Sequence, residues 1–456
     1  MKVNRPRLML AAPRSGSGKT TITCALLGAL RMRGGRVASF KCGPDYIDPM
    51  FHRSALGVPS FNLDPFLLEP PELRRTLASH GEEDGVSVLE GAMGYYDGIA
   101  MTTEASGYEL AGSLGVPVVL VIDCKGAAAS VPAQIRGFLC HRADSNIRGV
   151  LLNRLPGRLY PGMKALIERE LPLRVCGYLP ELPECSFESR HLGLIPAQEL
   201  HDLGARLERL AQQAARSFEL EALLALAKGA PALEAPALAA APSGGVPVQI
   251  ALARDEAFCF YYEEALQRLQ GLGARLVPFS PLHDERLPDH IDGLLLGGGY
   301  PELYAHELSE NRPLLGQLRA LVRGGLPTIA ECGGFMLLQE SLEGTDGNRY
   351  PMAGALPGEC RRQQRLCRFG YARYTALSDG LLCGRGESLP IHSFHYWDST
   401  APGDGFLAQK PGRDGSWREG VMTGSLYAGF GHLHLCHGEL AKRFVARCRG
   451  AQKERR

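Results

Sequence analysis

One pattern runs through this sequence twice and limits its fold more than any other feature. Short apolar, β-rich runs alternate with longer helical stretches. In the first half the runs are 7–12, 36–40, 86–90, 117–123, 149–153 and 175–179. In the second they are 248–253, 275–279, 293–296 and 328–330. Strands that alternate with helices pair in parallel and are covered on both faces. Such sheets bind ligands at the carboxyl ends of their strands. Between the halves, residues 228–247 read KGAPALEAPALAAAPSGGVP, the composition of an extended, semi-flexible linker. The fold class is therefore α/β: two domains, 1–228 and 248–456, each a mainly parallel sheet covered by helices, joined by a linker at 229–247.

Composition removes several classes of function. The 50 Lys+Arg and 49 Asp+Glu leave a net charge of +1, which excludes a chain-wide nucleic-acid footprint. The best apolar run, 116–122, falls well short of the roughly 18 residues of a membrane span. Lys2, Arg5 and Arg7 are followed by an apolar stretch too short for the core of a signal peptide. The 13 cysteines are scattered, odd in number and form no C-x-x-C pair. They read as reduced thiols of a cytoplasmic protein.

The first β run leads into APRSGSGKTT, residues 12–21, and then a helix at 20–33 with an apolar stripe of Ile22, Ala25, Leu26, Ala29 and Leu30 and Gly34 as its cap. Gly16 and Gly18 let the backbone N–H groups of Ser15, Ser17 and their neighbours face phosphate oxygens. Lys19 reaches the outer phosphates, Thr20 offers a hydroxyl to Mg²⁺, and Thr21 continues the first turn. Pro13 stands where the usual phosphate-loop pattern has Gly. The plainer alternative is a glycine turn that caps a helix; the order strand, loop, helix favours nucleotide binding, with ATP and Mg²⁺ expected. Acidic clusters follow at later strand ends: Asp45 and Asp48, with Lys41, in KCGPDYIDP, Glu90 and Asp97 in EGAMGYYDG, and Asp123. Together they suit a site for phosphate and Mg²⁺. Asp64 reads as a turn or cap residue. Asn153 either reads an adenine edge or caps a turn.

In the second half, LPTIAECGGFMLL at 326–338 describes a strand, a tight turn at Cys332 and a helix. This elbow exposes a thiol and leaves N–H groups for an oxyanion; the alternative is an inert buried thiol. The cluster GGGYPE, with Gly298 and Gly299, could supply a second oxyanion N–H beside that of Gly333. A base is sought in YAGFGHLHLCH, 427–437, where His432 and His434 share a face if the segment is a strand and His437 would start the last helix. His392 and His395 bind substrate or sit in the core. A zinc site built from these histidines lacks clean ligand spacing.

These motifs in this order closely resemble the cobyrinate a,c-diamide synthase family, over nearly the whole chain and including RHLGLIPA at 190–197. The resemblance implies a dethiobiotin-synthetase-like ATPase domain followed by a class I glutamine amidotransferase. It implies glutamine hydrolysis in the second domain. In the first, ATP phosphorylates a corrin carboxylate and ammonia displaces the phosphate, at c and at a. It makes Cys332 the nucleophile and selects His432 over His434 as its base. The position that ordinarily holds the third triad member, a Glu two residues after the His, holds His434 here, so that member is absent or comes from elsewhere. It assigns Lys19, Thr20, Lys41, Asp45, Asp48 and Glu90 to the ATP–Mg²⁺ and acyl-phosphate site. The expected partners are cobyrinic acid, glutamine and ATP, with a homodimer left open. The same chemistry on hydrogenobyrinate or nickel-sirohydrochlorin is the nearest rival. Cobyric acid synthase is disfavoured by the Asp45/Asp48 motif, and a ParA-like switch fused to an inert module by the Cys332 elbow.

Overall fold

The computed structural model of the protein describes residues 2–185, 197–236 and 246–454. The chain forms two compact units, Met1–Leu238 and Ala239–Arg456.

The first unit is built on a seven-stranded, wholly parallel sheet. Its order is Ser60–Leu63, Val37–Cys42, Val86–Glu90, Arg7–Ala11, Val118–Asp123, Ile147–Asn153, Arg174–Leu179. The central strands are buried along their whole length, as continuous apolar runs in a doubly covered sheet must be. Six of the seven strands fall on the expected runs. The seventh, Ser60–Leu63, has only four residues and no apolar run to announce it. The helix Lys19–Met32 buries Ile22, Ala25, Leu26 and Ala29 against the sheet. Each large side chain there contributes about 1.5–3 kcal/mol. Gly34, at φ 74°, donates to the Arg31 carbonyl and closes the helix end. A Cβ on Gly28 would lie 2.7 Å from Ala211 Cβ, so glycine permits the helix Ala197–Ser217 to pack this closely.

The second unit contains a six-stranded sheet in the order Ala274–Phe279, Val248–Ala253, Gly293–Leu296, Thr328–Glu331, Leu426–Gly429, Val421–Met422. All of its pairings are parallel except the last. A further, mainly antiparallel sheet is built around the long strands Glu359–Ala376 and Ser388–Ser399. The sequence reading did not anticipate it. ECRRQQRLCRFGYARYTA is too polar to register as an apolar run, because much of it faces solvent.

Residues 190–196 of the RHLGLIPA motif and 237–245 of the expected linker lie outside the described residues. Earlier in that linker stretch, Leu233–Glu234 pairs antiparallel with Lys2–Val3. The fully buried Arg7 holds the same region. Its guanidinium donates to the carbonyls of Arg5 (2.9 Å), Leu114 (2.6 and 3.1 Å) and Pro231 (2.9 Å). Arg7→Ala strands these buried acceptors and should cost the first unit about 2–4 kcal/mol, measured as a lowered urea midpoint; an unchanged midpoint would show that the clamp carries no stability.

Candidate active sites

In the first unit the phosphate loop joins the strand Arg7–Ala11 to the helix Lys19–Met32. Gly16 (φ 76°) and Gly18 (φ 88°) take the left-handed conformations that turn the loop. Gly18 has a second reason to be glycine: a Cβ there would come within 2.1 Å of Asn153 Nδ2. That amide donates to the Ser17 carbonyl (2.9 Å), so Asn153 props the loop from the end of the strand Ile147–Asn153, two away in the sheet from Arg7–Ala11. Ser17 is buried with its hydroxyl on the Arg14 carbonyl, while Ser15 and Gly16 are exposed at the loop tip and Thr21 is half-buried. Lys19 is buried and donates to the Met93 carbonyl (2.5 Å). Burial, then repulsion from Lys41, pulls its ammonium from 10.5 down to about 8.

Behind the loop the expected acidic residues gather around one cation. Thr20 Oγ1 donates to Glu90 Oε1 (2.7 Å). Lys41 Nζ donates to the same oxygen (2.8 Å) and to Asp48 Oδ2, with Asp45 Oδ2 at 3.8 Å. Burial works against the Lys41 charge, but Glu90, Asp48 and Asp45 together raise its pKa well above the ordinary value. Burial likewise opposes ionisation of Asp48, and Lys41 outweighs it, holding Asp48 below its usual range. Asp45 keeps more solvent contact. Crowding by its buried surroundings and the charge of Asp48 push it up to about 6. Asp97 accepts from the Gly94 N–H (3.0 Å) at the surface of the loop that carries Met93.

Two acids have other tasks. Asp123 pairs with Arg154 (Nε to Oδ1, 2.8 Å), and Asp64 caps the N–H groups of Phe66 and Leu67 (2.8 and 3.0 Å), the role the sequence suggested. The sequence reading missed His52. Its Nε2 lies 3.9 Å from Glu90 Oε2 and its Nδ1 2.9 Å from Ser39 Oγ. Burial outweighs the nearby carboxylates and lowers its pKa. Its place on the helix Ile47–Leu56, one turn beyond Asp48, was the available signal.

In the second unit the strand Thr328–Glu331 ends at Cys332, which sits at φ 47°, ψ −101°, a strained backbone for a residue with a side chain. The helix Gly333–Leu338 follows. A Cβ on Gly334 would meet the Leu296 carbonyl oxygen at 2.3 Å, so the turn fits only with glycine. Gly298 and Gly299 pair with the strand Phe258–Phe260. A Cβ on Gly298 would lie 2.6 Å from His432 Cε1 and 3.5 Å from Cys332 Cβ; one on Gly333 would lie 3.3 Å from the Gly299 nitrogen. The three glycines therefore wall the space around the thiol with backbone.

His432 is buried beside Cys332 and Glu331, with its Nδ1 3.5 Å from Glu331 Oε2. Burial would depress its pKa, yet Cys332 and Glu331 lift it from 6.5 to about 10. The expectation that His432 and His434 share a strand face is corrected. The strand ends at Gly429 and His432 makes a single bridge to His392. His434 instead places Nε2 2.9 Å from Glu264 Oε1 and stacks on Tyr262. His437 precedes the last helix, which begins at Leu440 rather than at His437. His395 is a core residue, stacked on Phe430 at 4.0 Å with Nδ1 on the Trp397 carbonyl (2.6 Å).

Comparison with known proteins adds the following. Residues 8–194 match the CobQ/CobB/MinD/ParA nucleotide binding domain and residues 249–439 the CobB/CobQ-like glutamine amidotransferase domain. The chain is similar to the cobyrinate a,c-diamide synthase of Caldanaerobacter subterraneus subsp. tengcongensis, at 39 % identity over 96 % of this chain and 98 % of that one. It is 39 % identical to that of Priestia megaterium (99 % and 98 % covered) and 42 % identical to that of Gloeobacter violaceus (97 % and 96 %).

Gly18→Ala should weaken ATP binding more than tenfold, at least about 1.4 kcal/mol, and leave glutamine hydrolysis intact; unchanged ATP titration would contradict the loop geometry. Phosphate contact favours the Lys19 ammonium, so above about pH 8 binding must take up a proton. The Kd for ATP should rise with pH in that range, and a flat profile would count against Lys19 as the phosphate cation.

Proposed function

This chain belongs to the cobyrinate a,c-diamide synthase family, and on that premise we propose how its side chains divide the reaction. It is a carbon–nitrogen ligase that uses ATP and takes the amide nitrogen from glutamine. The observation that carries the reading is the presence, on one chain, of a Cys–His pair at a strained elbow and a phosphate loop backed by Lys41, Asp48 and Glu90.

In the second unit the Cys332 thiolate attacks the glutamine carboxamide. N–H groups at Gly299 and Gly333, with Gly298 admitting the close approach, stabilise the oxyanion. The His432 imidazolium gives its proton to the departing ammonia, and the neutral ring then activates water to release glutamate.

In the first unit a carboxylate of the corrin attacks the γ-phosphorus of ATP, and ADP leaves. Ammonia then displaces phosphate from the acyl phosphate, once at c and once at a. Lys19 and the loop N–H groups hold the phosphates, while Lys41 offsets charge on the transferring group. Asp45, Asp48 and Asp97 orient the substrate and accept the proton that ammonia sheds on becoming an amide. The hydroxyl of Thr20 and the carboxylates of Glu90 and Asp45 are hard oxygen donors of the kind Mg²⁺ takes. When bound, the ion neutralises phosphate charge. We further place the enzyme in the cytoplasm, where its 13 thiols remain reduced.

Mass spectrometry of cobyrinic acid incubated with Mg-ATP and glutamine should show two successive acid-to-amide changes and then stop. No change on cobyrinate, with amidation of hydrogenobyrinate or nickel-sirohydrochlorin, would overturn the substrate assignment. Cys332→Ala should abolish glutamine use and spare activity with ammonia; loss of both would remove Cys332 from its role. Asp48→Asn should lower amidation at least about 100-fold with either nitrogen source, and full retained activity would take Asp48 out of the site.

A further inference from the structure

We infer that Glu331 completes the glutaminase triad as a positioning residue, holding His432 by its Nδ1 edge so that the other ring nitrogen serves Cys332. This rests on the proposed roles of Cys332 and His432.

The geometry is specific. Glu331 is buried at the carboxyl end of its strand, with Oε2 3.5 Å from His432 Nδ1. Its Oε1 accepts the N–H of Leu433 (3.1 Å), the residue after His432. One carboxylate thus grips both the ring and the backbone that carries it. In extended chain, neighbouring side chains point to opposite faces. The left-handed φ of Cys332 breaks that alternation, so residues 331 and 332 both address one imidazole. The place two residues after His432 is taken by His434, which turns to Glu264 (2.9 Å).

Four neighbouring titratable groups, His392, His395, Tyr261 and Tyr427, bring no charge to the ring. Burial, then the charge of His432, lowers His392 to about 3, and burial lowers His395 to about 4. The phenols of Tyr261 and Tyr427 are raised by burial and stay protonated. Removing the Glu331 charge therefore lowers the pKa of the His432 imidazolium.

The test uses the full-length enzyme and Glu331→Gln, which keeps an oxygen for Leu433 and presents a neutral amide to Nδ1. Glutaminase kcat should fall about 100-fold or more with KM changed less than about threefold. The alkaline limb of the kcat profile should move to lower pH. Glu331→Asp should restore the alkaline limb and much of the rate, and ammonia-dependent amidation should be unchanged in both variants. A Glu331→Gln enzyme with kcat and alkaline limb unaltered overturns the inference. So does equal loss in Gln and Asp variants, which would mark Glu331 as structural. Full glutaminase activity in His432→Asn would instead sink the underlying Cys–His reading, and the inference with it.

Discussion

A buried ammonium held among carboxylates is the constraint around which the first unit is arranged. Lys41 and Glu90 are direct partners across adjacent parallel strands, so the register of the sheet itself brings cation and anion together. Glu90 then shares one oxygen between Lys41 and Thr20, tying the first turn of the phosphate-loop helix to the strand ends. Desolvating such charges is expensive, and removing one member leaves the rest uncompensated by about 3–5 kcal/mol. The same cost explains the supporting contacts. Asn62, the partner of Lys41 on its other side, donates to the carbonyls of Gly43 and Asp45 (3.0 and 2.7 Å) and shapes the turn that presents Asp45 and Asp48.

The second unit stores its constraint in the backbone instead. A non-glycine residue at φ 47° carries strain of about 1–3 kcal/mol, and the surroundings hold it there. The Cys332 N–H donates to Gly429 (2.8 Å), its carbonyl accepts from Met336 (2.9 Å), and the Gly334 N–H donates to Gly297 (2.9 Å). The strain delivers the thiol to His432 and, by breaking the pleat, brings Glu331 to the same ring.

Much of this was legible in the sequence because it depends on local pattern. Buried parallel strands are continuous apolar runs, and the runs at 86–90, 248–253 and 293–296 coincide with strands to the residue. The phosphate loop and the Cys332 elbow are glycine patterns fixed by turn geometry. What escaped depends on partners distant in sequence. Ser60–Leu63 is a strand because Val37–Cys42 accepts it. The long antiparallel pair 359–376 and 388–399 has a solvent face that dilutes its hydrophobic signal. The divergence of His432 and His434 follows from Glu331 and Glu264, which lie 101 residues or more away along the chain. Glu331 stood beside the proposed nucleophile, yet nothing in its immediate neighbours states which way its carboxylate turns.

The clamp at Arg7 bears on where this polypeptide can be cut. A composition-based boundary at Lys228 would discard Pro231, whose carbonyl receives the buried guanidinium. It would also discard Leu233–Glu234, which pairs with the first strand of the chain. A fragment ended there would carry a buried cation with an acceptor missing and an unpaired edge at its amino terminus. Recombinant dissection of the two halves should therefore keep residues through 236 with the amino-terminal piece.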